Sequence, residues 1–381
     1  MAKISANRGD IAEGIMGAAL TAKFLKRKLG QDASNMPKIA EKDIDDVLKN
    51  FFRNSTFKKM VRDVPPPIDI PEGVPYGRET ETAINVIREL AYRDQVVFKL
   101  TLPKGAMDFL SVQTNRNDVR DIYRRAILYA NTDFTFIREA NRLATNAKND
   151  KILVNADGVS NQNETKVDIG LFANGRKIGN QISLKTDKGR QFDQVRGFGI
   201  DAFDKLFVTN LGILVDGKVK NEVNSFINKF NVTDAFSFKT QTSKDATGSS
   251  WAGLLKKAAA IYYKGAESVI KTQIKSISFR RKLAATIRYG ATRGDQDIQL
   301  VKFKSGIGYS ERTFGPEFET AMENADLSVS SNFTDNPTVK INSGGKLLVQ
   351  FRARVDARSS AKGYTLFMRN ILEAGAGLFE L

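Results

Sequence analysis

Two neighbouring strands with polar faces carry the residues of this sequence that are best suited to chemistry. The first strand is predicted over 166–172 and contains Asp168, and the second, over 178–186, contains Ser183 and Lys185. An Asn-Gly dipeptide between the two strands favours a tight hairpin turn. Because side chains alternate between the two faces of a strand, we expect the hairpin to bring these three polar side chains together.

An aspartate that faces a lysine on such a hairpin has two interpretations. In the first, Asp168 and Lys185 form a plain ion pair, which avoids the cost of leaving either charge unpaired in a cleft. In the second, the Asp168 carboxylate holds Mg²⁺ and the Lys185 ammonium positions a water molecule or stabilises charge on a reacting phosphate. The second interpretation makes the hairpin the centre of a metal-and-phosphate site.

The sequence contains neither histidine nor cysteine. Their absence excludes Ser-His-Asp hydrolysis, histidine-dependent nuclease chemistry, thiolate zinc sites, iron–sulfur clusters and cysteine nucleophiles. Any catalysis has to use carboxylates, Lys, Tyr, Ser or Thr, together with a hard cation bound by oxygen atoms. Among enzymes that act on nucleic acid, the composition therefore favours magnesium-dependent designs built from acids and a lysine.

The chain carries a large positive charge. Its 59 Lys and Arg residues outnumber its 43 Asp and Glu residues, which gives a formal net charge of +16 over 381 residues. Such a surplus attracts polyanions, of which nucleic acid is the commonest, and the alternative is a basic surface that serves only solubility. We found no apolar stretch long enough to span a membrane and no apolar signal-peptide core at the N-terminus. We therefore expect a nucleic-acid partner and no membrane partner.

Three groups of basic residues are candidates for contacts with phosphate groups. They lie on a predicted helix over 117–144, at the start of a predicted helix over 282–291 and along a predicted strand over 347–355. The alternative for each helix is a solvated face, and for the strand it is protection of a sheet edge by charge. The candidate residues are Arg120, Arg124, Arg280, Arg281, Lys282, Arg352 and Arg354.

The remaining patterns predict a protein of mixed α and β structure in three consecutive regions. We expect a mainly helical region over 1–150, a core that contains the hairpin over 151–240 and an α+β region over 241–381. Asp10 is expected to cap the first helix. Glycine and alanine make this helix thin, so another element is expected to pack close to it. The predicted helices are 10–30, 40–52, 79–93, 117–144, 191–207, 251–273, 282–291, 315–323 and 363–373, and further predicted strands are 152–154, 298–304 and 347–355.

The order of acid, hairpin and lysine resembles that of the PD-(D/E)XK nucleases, a superfamily that includes restriction endonucleases and DNA-repair nucleases. Glu13 matches the first acid of that superfamily, Asp168 its central aspartate and Lys185 its lysine. Gln191 and Gln194 lie where a helix after the hairpin often carries a glutamine. The resemblance implies an α+β or α/β fold with a mixed β-sheet, restriction-endonuclease-like core in the order αβββαβ, in which Glu13 lies on the first helix.

The match leaves alternatives open at two places. Ser183 stands where the superfamily usually has Asp or Glu, which removes one metal ligand. Glu13, Glu164 or Asp187 compensates for it, or the site is weak or inactive. The resemblance also implies that the Leu184 backbone carbonyl is a metal ligand.

The first acid of the pattern has an alternative too. Glu139 lies on the arginine-bearing helix, nearer to the hairpin in sequence than Glu13. Asp168 and one of these two glutamates are expected to hold Mg²⁺ or Mn²⁺. Lys185 then orients the attacking water or stabilises the transition state, and either glutamine of the predicted helix orients the site.

These expectations together predict a magnesium-dependent deoxyribonuclease, with endonuclease action favoured over exonuclease action. DNA is the expected partner, RNA is not excluded, and a homodimer is expected only by analogy with nucleases that pair two sites. We expect a cytoplasmic location, which is the host cytoplasm if a phage encodes the protein. The alternative, favoured by Ser183, is a non-catalytic nucleic-acid-binding or phage structural protein that retains a decayed nuclease fold.

Overall fold

The structure is a computed structural model, and it describes residues 7–28, 32–62, 84–143, 151–157, 167–187, 191–195, 199–228, 237–240, 250–289, 298–360 and 363–381. Within these residues the protein is of mixed α and β class. Its helices are α1 (Arg8–Leu25), α2 (Glu41–Asn54), α3 (Lys104–Ser111), α4 (Arg120–Thr132), α5 (Thr135–Leu143), α6 (Gly199–Asp204), α7 (Gly217–Asn228), α8 (Ser250–Gln273), α9 (Ile277–Tyr289) and α10 (Pro316–Asn324).

The strands are more numerous than the sequence patterns predicted. In chain order they are β1 (Thr56–Arg62), β2 (Ile84–Ala91), β3 (Val96–Pro103), β4 (Ile152–Ala156), β5 (Gly170–Ala173), β6 (Arg176–Lys177), β7 (Gln181–Lys185), β8 (Gln191–Val195), β9 (Ser237–Thr240), β10 (Ile298–Phe303), β11 (Tyr309–Phe314), β12 (Leu327–Asn332), β13 (Thr338–Ser343), β14 (Lys346–Ser360) and β15 (Gly363–Ala374). No helix of the described part of the chain has the length and apolar character needed to cross a membrane.

The elements form two compact units that alternate along the chain. The first unit contains α1 to α5, β1 to β7, β10 and nearly all of β11. The second contains β8, β9, α6 to α10 and β12 to β15. This division differs from the three consecutive regions that the sequence patterns predicted, and it places the hairpin in the same unit as the N-terminal helix.

Two sheets build the first unit. The larger has the strand order β1-β2-β3-β4-β5-β6, and it is antiparallel except for the parallel pair β3 and β4. The smaller has the order β11-β10-β7. In this smaller sheet β10 runs parallel to β7, so that Leu300 pairs with Ser183 and Lys302 pairs with Lys185.

Helix α1 lies in the centre of the first unit, where it packs against three helices and against β3, β4 and β7. Its glycines permit this close approach. A Cβ atom at Gly14 would lie 2.5 Å from the Leu110 side chain, and one at Gly17 would lie 2.8 Å from the Phe98 ring. The expectation that another element packs close to this thin helix is confirmed. Asn7 caps the helix by accepting a hydrogen bond from the Gly9 N–H, a role that the sequence had suggested for Asp10.

The predicted hairpin turn forms, but it joins β5 to the two-residue strand β6. Asn174 and Gly175 have φ values of +50° and +77°, the left-handed pair that a two-residue hairpin turn requires. The chain then leaves the larger sheet, and β7 joins β10 instead. One isolated antiparallel bridge between Ile169 and Ile182 still connects the Asp168 segment to β7.

The second unit is built on a sheet with the order β12-β13-β14-β15-β8, to which β9 adds by pairing with β15. Its strands are antiparallel. An aromatic cluster covers one face, where Phe207 contacts the rings of Tyr262, Tyr263 and Phe351. The Tyr263 hydroxyl donates to Asn370 Oδ1 at 2.8 Å, which ties α8 to β15.

Three predicted helices are wrong. Residues 79–93 contain β2, and 363–373 lie in β15, which pairs with β14 over twelve positions. Residues 191–207 contain strand β8 at 191–195 and helical residues from Gly199 onwards. Strands β2 and β15 pair with their hairpin neighbours β3 and β14, and β8 pairs with β15, which is far away in sequence. In each segment pairing with another strand determines the structure, and helical periodicity within the segment does not reveal that partner.

Other expectations hold with corrected bounds. The helix predicted over 117–144 is two helices, α4 and α5, separated at Asp133, whose carboxylate accepts the Thr135 N–H at 2.9 Å and so starts α5. The helices predicted over 40–52, 251–273, 282–291 and 315–323 correspond to α2, α8, α9 and α10. The strands predicted over 152–154, 298–304 and 347–355 correspond to β4, β10 and β14.

Candidate active site

One carboxylate oxygen, Asp168 Oδ2, is the common acceptor for three donors of β7. It accepts hydrogen bonds from the Leu184 N–H at 2.6 Å, from Lys185 Nζ at 2.9 Å and from Ser183 Oγ at 3.3 Å. The Asp168 N–H donates to the Ile182 carbonyl at 2.8 Å, so backbone and side chain both hold this residue against β7. The predicted grouping of Asp168, Ser183 and Lys185 on one polar face is confirmed.

The Lys185 ammonium bridges two acceptors. It donates to Asp168 Oδ2 and to the Leu184 carbonyl at 3.0 Å, and the Asp168 and Lys185 side chains are each 17% exposed. An ammonium group has three N–H donors, so one remains for a further acceptor. The lysine is therefore fixed in position by two hydrogen bonds and can still bind a third group.

Glu13 reaches the same place from α1. Its Oε2 atom is buried and has no hydrogen-bond partner among the described residues. Burial raises the pKa of the Glu13 carboxyl well above its usual range, the negative charges of Asp168 and Asp10 raise the pKa further, and Lys185 lowers it. The structure thus brings together Glu13, Asp168 and Lys185, the three residues in the superfamily pattern that come from separate segments.

Asp10 is a member of this cluster that the sequence reasoning missed. It lies one helical turn before Glu13 on α1 and is half-buried. Burial, together with the charge of Asp168, raises the pKa of Asp10 to about 6. The i, i+3 spacing from Glu13 was the available indication, because residues three apart lie on the same helix face. Asp10 had been given the role of helix cap instead.

The charges of this cluster explain why the pKa values of Asp10 and Glu13 lie above those of free carboxyl groups. Three carboxylates and one lysine lie together where water is partly excluded, and a charged carboxylate is costly there unless a cation compensates it. Acids whose pKa values are raised by burial and by each other are typical of functional sites, although structural ion-pair networks raise pKa values too.

The donor set of the cluster suits a hard cation. Carboxylate and carbonyl oxygens are the ligands that Mg²⁺ prefers, and the ion usually needs only one or two carboxylates besides water and substrate phosphate. Glu13 Oε2 offers a buried oxygen without a hydrogen-bond partner in the described chain, Asp168 offers a second carboxylate and Leu184 a carbonyl. Among the described residues no group of three or more acidic side chains is arranged to hold a metal ion. The cluster therefore suits a metal site with only two carboxylate ligands.

The alternative acids take other places. Glu139 Oε2 accepts the Gly179 N–H at 2.5 Å and so supports the segment between β6 and β7. Asp187 follows β7 and is half-buried, whereas Glu164 lies outside the described residues. Of the two candidates for the first acid, Glu139 is bonded to the Gly179 backbone, and Glu13 is the one that lies in the cluster with Asp168.

The predicted glutamine helix is wrong. Gln191 and Gln194 lie on β8, a strand of the second unit that pairs with β15, and their side chains are outside the described part of the structure. A different glutamine, Gln181, lies on β7 two residues before Ser183. It is buried, and its Nε2 atom has no hydrogen-bond partner among the described groups.

Acids on α2 neutralise part of the basic surface predicted on α4. Arg120 lies 3.6 Å from a Glu41 carboxylate oxygen, and Arg116 pairs with Glu41 at 2.8 Å and also with Asp45. Arg124 is exposed and forms no ion pair within the described structure. A cleft of about 600 Å³ next to Arg116 is lined by residues of α2 and by 109–123, and none of the acids around Asp168 lines it.

The basic residues of α9 have structural contacts. Arg280 donates to the carbonyls of Ile274 at 3.0 Å and Glu323 at 2.6 Å, which links α9 to the end of α10. Arg281 forms an exposed ion pair with Glu323 at 2.6 Å. Lys282 is exposed, and its side chain lies against Gly212. Only the last two have the exposure that a contact with phosphate requires.

Arg352 and Arg354 lie on the less buried face of β14, as alternation predicted. Arg352 pairs with the carboxylate of Glu373, which also accepts a hydrogen bond from Gln350. Arg354 is directly opposite Arg369 on β15.

Comparisons of the chain with protein-family models, with curated proteins and with solved structures found no match. The resemblance to the PD-(D/E)XK superfamily therefore stays a prediction from the motif. The chemistry of the cluster depends on Asp10, Glu13, Asp168 and Lys185 and on their positions in the structure.

Proposed function

We propose that this chain is a metal-dependent nuclease that hydrolyses phosphodiester bonds in DNA. The observation that supports this most strongly is the convergence of Glu13, Asp168 and Lys185, which lie on α1, on the segment before β5 and on β7. A plain ion pair accounts for Asp168 and Lys185, but it gives no reason for a buried glutamate oxygen beside them that has no hydrogen-bond partner among the described residues.

We propose a restriction-endonuclease-like core within the first unit, because helix α1 carries the first acid and β7, which follows the β5–β6 hairpin, carries the lysine. Strand β10 lies parallel beside β7. The first unit departs from the αβββαβ order, since α2 to α5 and β1 to β3 lie between α1 and β4, and the described part of this unit has no helix after β7.

Asp168, Glu13 and the Leu184 carbonyl are the groups that would hold Mg²⁺ or Mn²⁺. A bound divalent ion lowers the pKa of its water and neutralises charge on the phosphate. For Glu13 to act as a ligand its carboxyl group must lose its proton, which its raised pKa makes costly without a cation. Metal binding is therefore coupled to the release of a proton from this cluster.

Lys185 is the residue proposed to supply the protein's own positive charge at the reacting phosphate. Its two hydrogen bonds, to Asp168 Oδ2 and the Leu184 carbonyl, direct the third N–H towards a water molecule or a phosphate oxygen. In hydrolysis the water oxygen bonds to phosphorus, the bond from phosphorus to the leaving oxygen breaks and that oxygen takes up a proton. A fixed ammonium stabilises the charge that develops on the phosphate.

A second function is favoured by Ser183. Its hydroxyl donates to Asp168 where the superfamily has an acid, so this position offers no negative charge to a metal ion. A non-catalytic nucleic-acid-binding or phage structural protein could keep the fold with such a site. In that case the Asp168–Lys185 ion pair has only a structural role.

The experiment that tests the proposal is cleavage of plasmid and linear DNA with Mg²⁺ or Mn²⁺ by the wild type and by two variants, Asp168→Ala and Lys185→Ala. Lys177→Ala is the matched control, because Lys177 is an exposed lysine on β6, the strand that precedes β7. We expect the wild type and the control to cleave and the two site variants to be inactive.

Two results would contradict the proposal. If the wild type cleaves neither DNA nor RNA with either metal ion, the nuclease function is wrong and the binding function takes its place. If both site variants cleave like the wild type, the site lies elsewhere. The +16 charge predicts that DNA binding survives all three substitutions and weakens steeply with salt concentration.

A further inference from the structure

The cleft of about 600 Å³ in the first unit has an apolar floor. Residues of α2 and residues 109–123 line the cleft. We call four of its side chains the floor: Leu48 and Leu110, which are buried, and Phe52 and Phe109, which are half-buried. A concave site of this size, with apolar walls and a few polar groups, is typical of a place where a small ligand or one group of a larger ligand binds.

Basic residues lie at the same cleft. Arg116 is paired with Glu41 and Asp45, so its charge is compensated. Lys49 and Arg53 also line the cleft, are exposed and form no ion pair within the described part of the chain. They are four residues apart on α2, which places them on the same face of that helix. The cleft therefore combines an apolar floor with two positive charges that no acid of the described chain pairs with.

The cleft lies beside the part of α1 that carries Glu13. Leu110 of the floor packs against Gly14, where a Cβ atom would lie 2.5 Å from the leucine side chain. At the beginning of α1, Arg8 donates to the Asp118 carbonyl at 3.3 Å, in the segment after α3 that lines the cleft. The cleft and the proposed reaction site are therefore adjacent to neighbouring residues of one helix, within reach of one nucleic-acid strand.

An unpaired nucleotide has the two chemical features that this cleft would recognise. Its base presents a planar face, which stacks on aromatic side chains, and its phosphate carries negative charge. A base inside a duplex is paired and stacked on its neighbours, so it enters a cleft only by leaving the duplex. The formal charge of +16 and the proposed phosphate site next to the same helix favour a nucleotide over an amphipathic anion of another class.

We propose that this cleft binds one unpaired nucleotide of a nucleic-acid strand. The base contacts Phe52 and Phe109, and the phosphate is bound by the charges of α2, Lys49 and Arg53. The substrate class is therefore a nucleic acid with a single-stranded end or segment near the cleaved bond. This substrate class rests on the proposed nuclease function, whereas binding of the nucleotide does not depend on cleavage.

Two variants of the whole chain each remove one feature of the cleft. Lys49→Ala removes a positive charge, and its control is Lys42→Ala, because Lys42 is another exposed lysine of α2 that does not line the cleft. Phe109→Leu removes an aromatic ring and keeps an apolar side chain, and its control is Phe57→Leu, because Phe57 is 51% exposed on β1. Phe109→Tyr keeps the ring and should restore binding. Phe52→Leu replaces Phe109→Leu if that variant fails to fold by circular dichroism.

The first measurement is binding of a labelled single strand and of a labelled blunt duplex without divalent metal, by fluorescence anisotropy. We expect Phe109→Leu to weaken binding of the single strand by about 5-fold or more, because the stacking of one base is lost. Lys49→Ala should reduce the slope of log K against log salt by about 0.7, the value for one phosphate contact of a single strand. Duplex binding should change less than single-strand binding in both variants.

Two results would overturn the proposal. In the first, the cleft variants bind the single strand as tightly as their controls do. An occupant of another class, such as an acidic peptide or an acyl anion, gives this result, because strand binding then does not use the floor. In the second, both variants weaken single-strand and duplex binding equally, which means that the cleft contacts phosphate without an unpaired base.

The second measurement is cleavage with Mg²⁺ of a duplex with a single-stranded tail and of the same duplex with blunt ends. We expect the wild type to prefer the tailed duplex in kcat/KM by about 5-fold or more, mainly through KM, because the contact forms before the chemical step. Phe109→Leu should cleave the two substrates equally well, and Phe57→Leu should retain the preference. A wild type that prefers the blunt duplex would contradict the proposed substrate class.

The two proposals fail in different ways. If the wild type cleaves and Lys185→Ala does not, but both cleft variants behave like their controls, the nuclease proposal stands and the cleft proposal is wrong. If the wild type cleaves no nucleic acid, the nuclease proposal is wrong, and the binding measurements still decide whether the cleft binds an unpaired nucleotide.

Discussion

Two ion pairs of the first unit have nearly the same geometry and very different surroundings. Lys185 and Asp168 are 2.9 Å apart with side chains 17% exposed, and Lys99 and Asp157 are 2.8 Å apart with side chains 27% and 19% exposed. Both link neighbouring parts of a sheet. By distance and burial alone, neither pair would be selected as a reaction site.

The difference lies in what surrounds each carboxylate. Asp168 Oδ2 accepts three hydrogen bonds from consecutive residues of β7, and the charge of Asp168 raises the pKa values of Glu13 and Asp10 on α1. Lys99 is bonded to Asp157 on the extension of β4, beside its parallel partner strand. The additional charged groups near an ion pair are therefore a better indication of function than the distance between its nitrogen and oxygen atoms.

The largest expected effect separates the two pairs by activity. We expect Asp168→Asn and Lys185→Ala to reduce the single-turnover cleavage rate by about 10³-fold, since each removes a group proposed to act on the phosphate. Asp157→Asn and Lys99→Ala should change that rate less than about threefold, because their pair only supports the sheet. Thermal melts of all four variants measure their stability. Similar losses of cleavage rate from both pairs would mean that the substitutions act through stability, and the proposed difference between the pairs would be wrong.

The next effect concerns metal binding. Glu13→Gln removes the buried carboxylate oxygen that has no hydrogen-bond partner in the described structure, and we expect it to weaken Mn²⁺ binding by about 10-fold or more in titration calorimetry. Glu139→Gln is the matched control, because Glu139 is a half-buried glutamate that supports the Gly179 N–H instead. Unchanged Mn²⁺ affinity in Glu13→Gln would remove Glu13 from the proposed ligand set.

A smaller effect is expected in the pH dependence of cleavage. The negative charge of Asp10 raises the pKa of Glu13, so Asp10→Asn should lower that pKa and let Glu13 ionise at lower pH. The acidic limb of the cleavage profile should therefore move to lower pH by about half a unit. A limb that stays in place, or moves to higher pH, would show that Glu13 does not control it.

The smallest effect is on stability. The pKa of Asp10 is about 6 in the folded protein and 3.8 for an ordinary aspartate, so the folded protein binds more protons between these values. Stability therefore falls as pH rises from about 4 to about 6. Asp10→Asn removes this loss, and we expect it to be more stable than the wild type by about 1 kcal/mol at pH 7 and equal to it near pH 3. Urea unfolding at both pH values measures the difference.

Local patterns in the sequence predicted those features that depend on neighbouring residues. Alternation along β7 and the Asn-Gly turn placed Ser183 and Lys185 on the side of Asp168, and the small residues of α1 indicated its close packing. The motif, and not the spacing, connected Glu13 with the hairpin. Asp10 was overlooked because a capping role was assigned to it, which Asn7 fulfils in the structure.

The patterns failed where pairing with another strand outweighs the local periodicity. Residues 363–373 have helical periodicity, but twelve backbone pairs with β14 make the segment a strand. The glutamines at 191 and 194 became part of a strand of the second unit for the same reason. The position of Lys302 beside Lys185 was not predicted either, because it exists only in the register of β10 against β7.

That register also determines when the first unit can be completed during protein synthesis. Helix α1 is made first and β7 follows, but β7 lacks its neighbour until β10 has left the ribosome, near residue 303. Strand β10 ends about 118 residues after β7, so at about 5–20 residues per second this delay amounts to about 6–24 s. Until then the sheet that carries Lys185 is incomplete, so the site proposed to cut nucleic acid is assembled only after β10 has been synthesised.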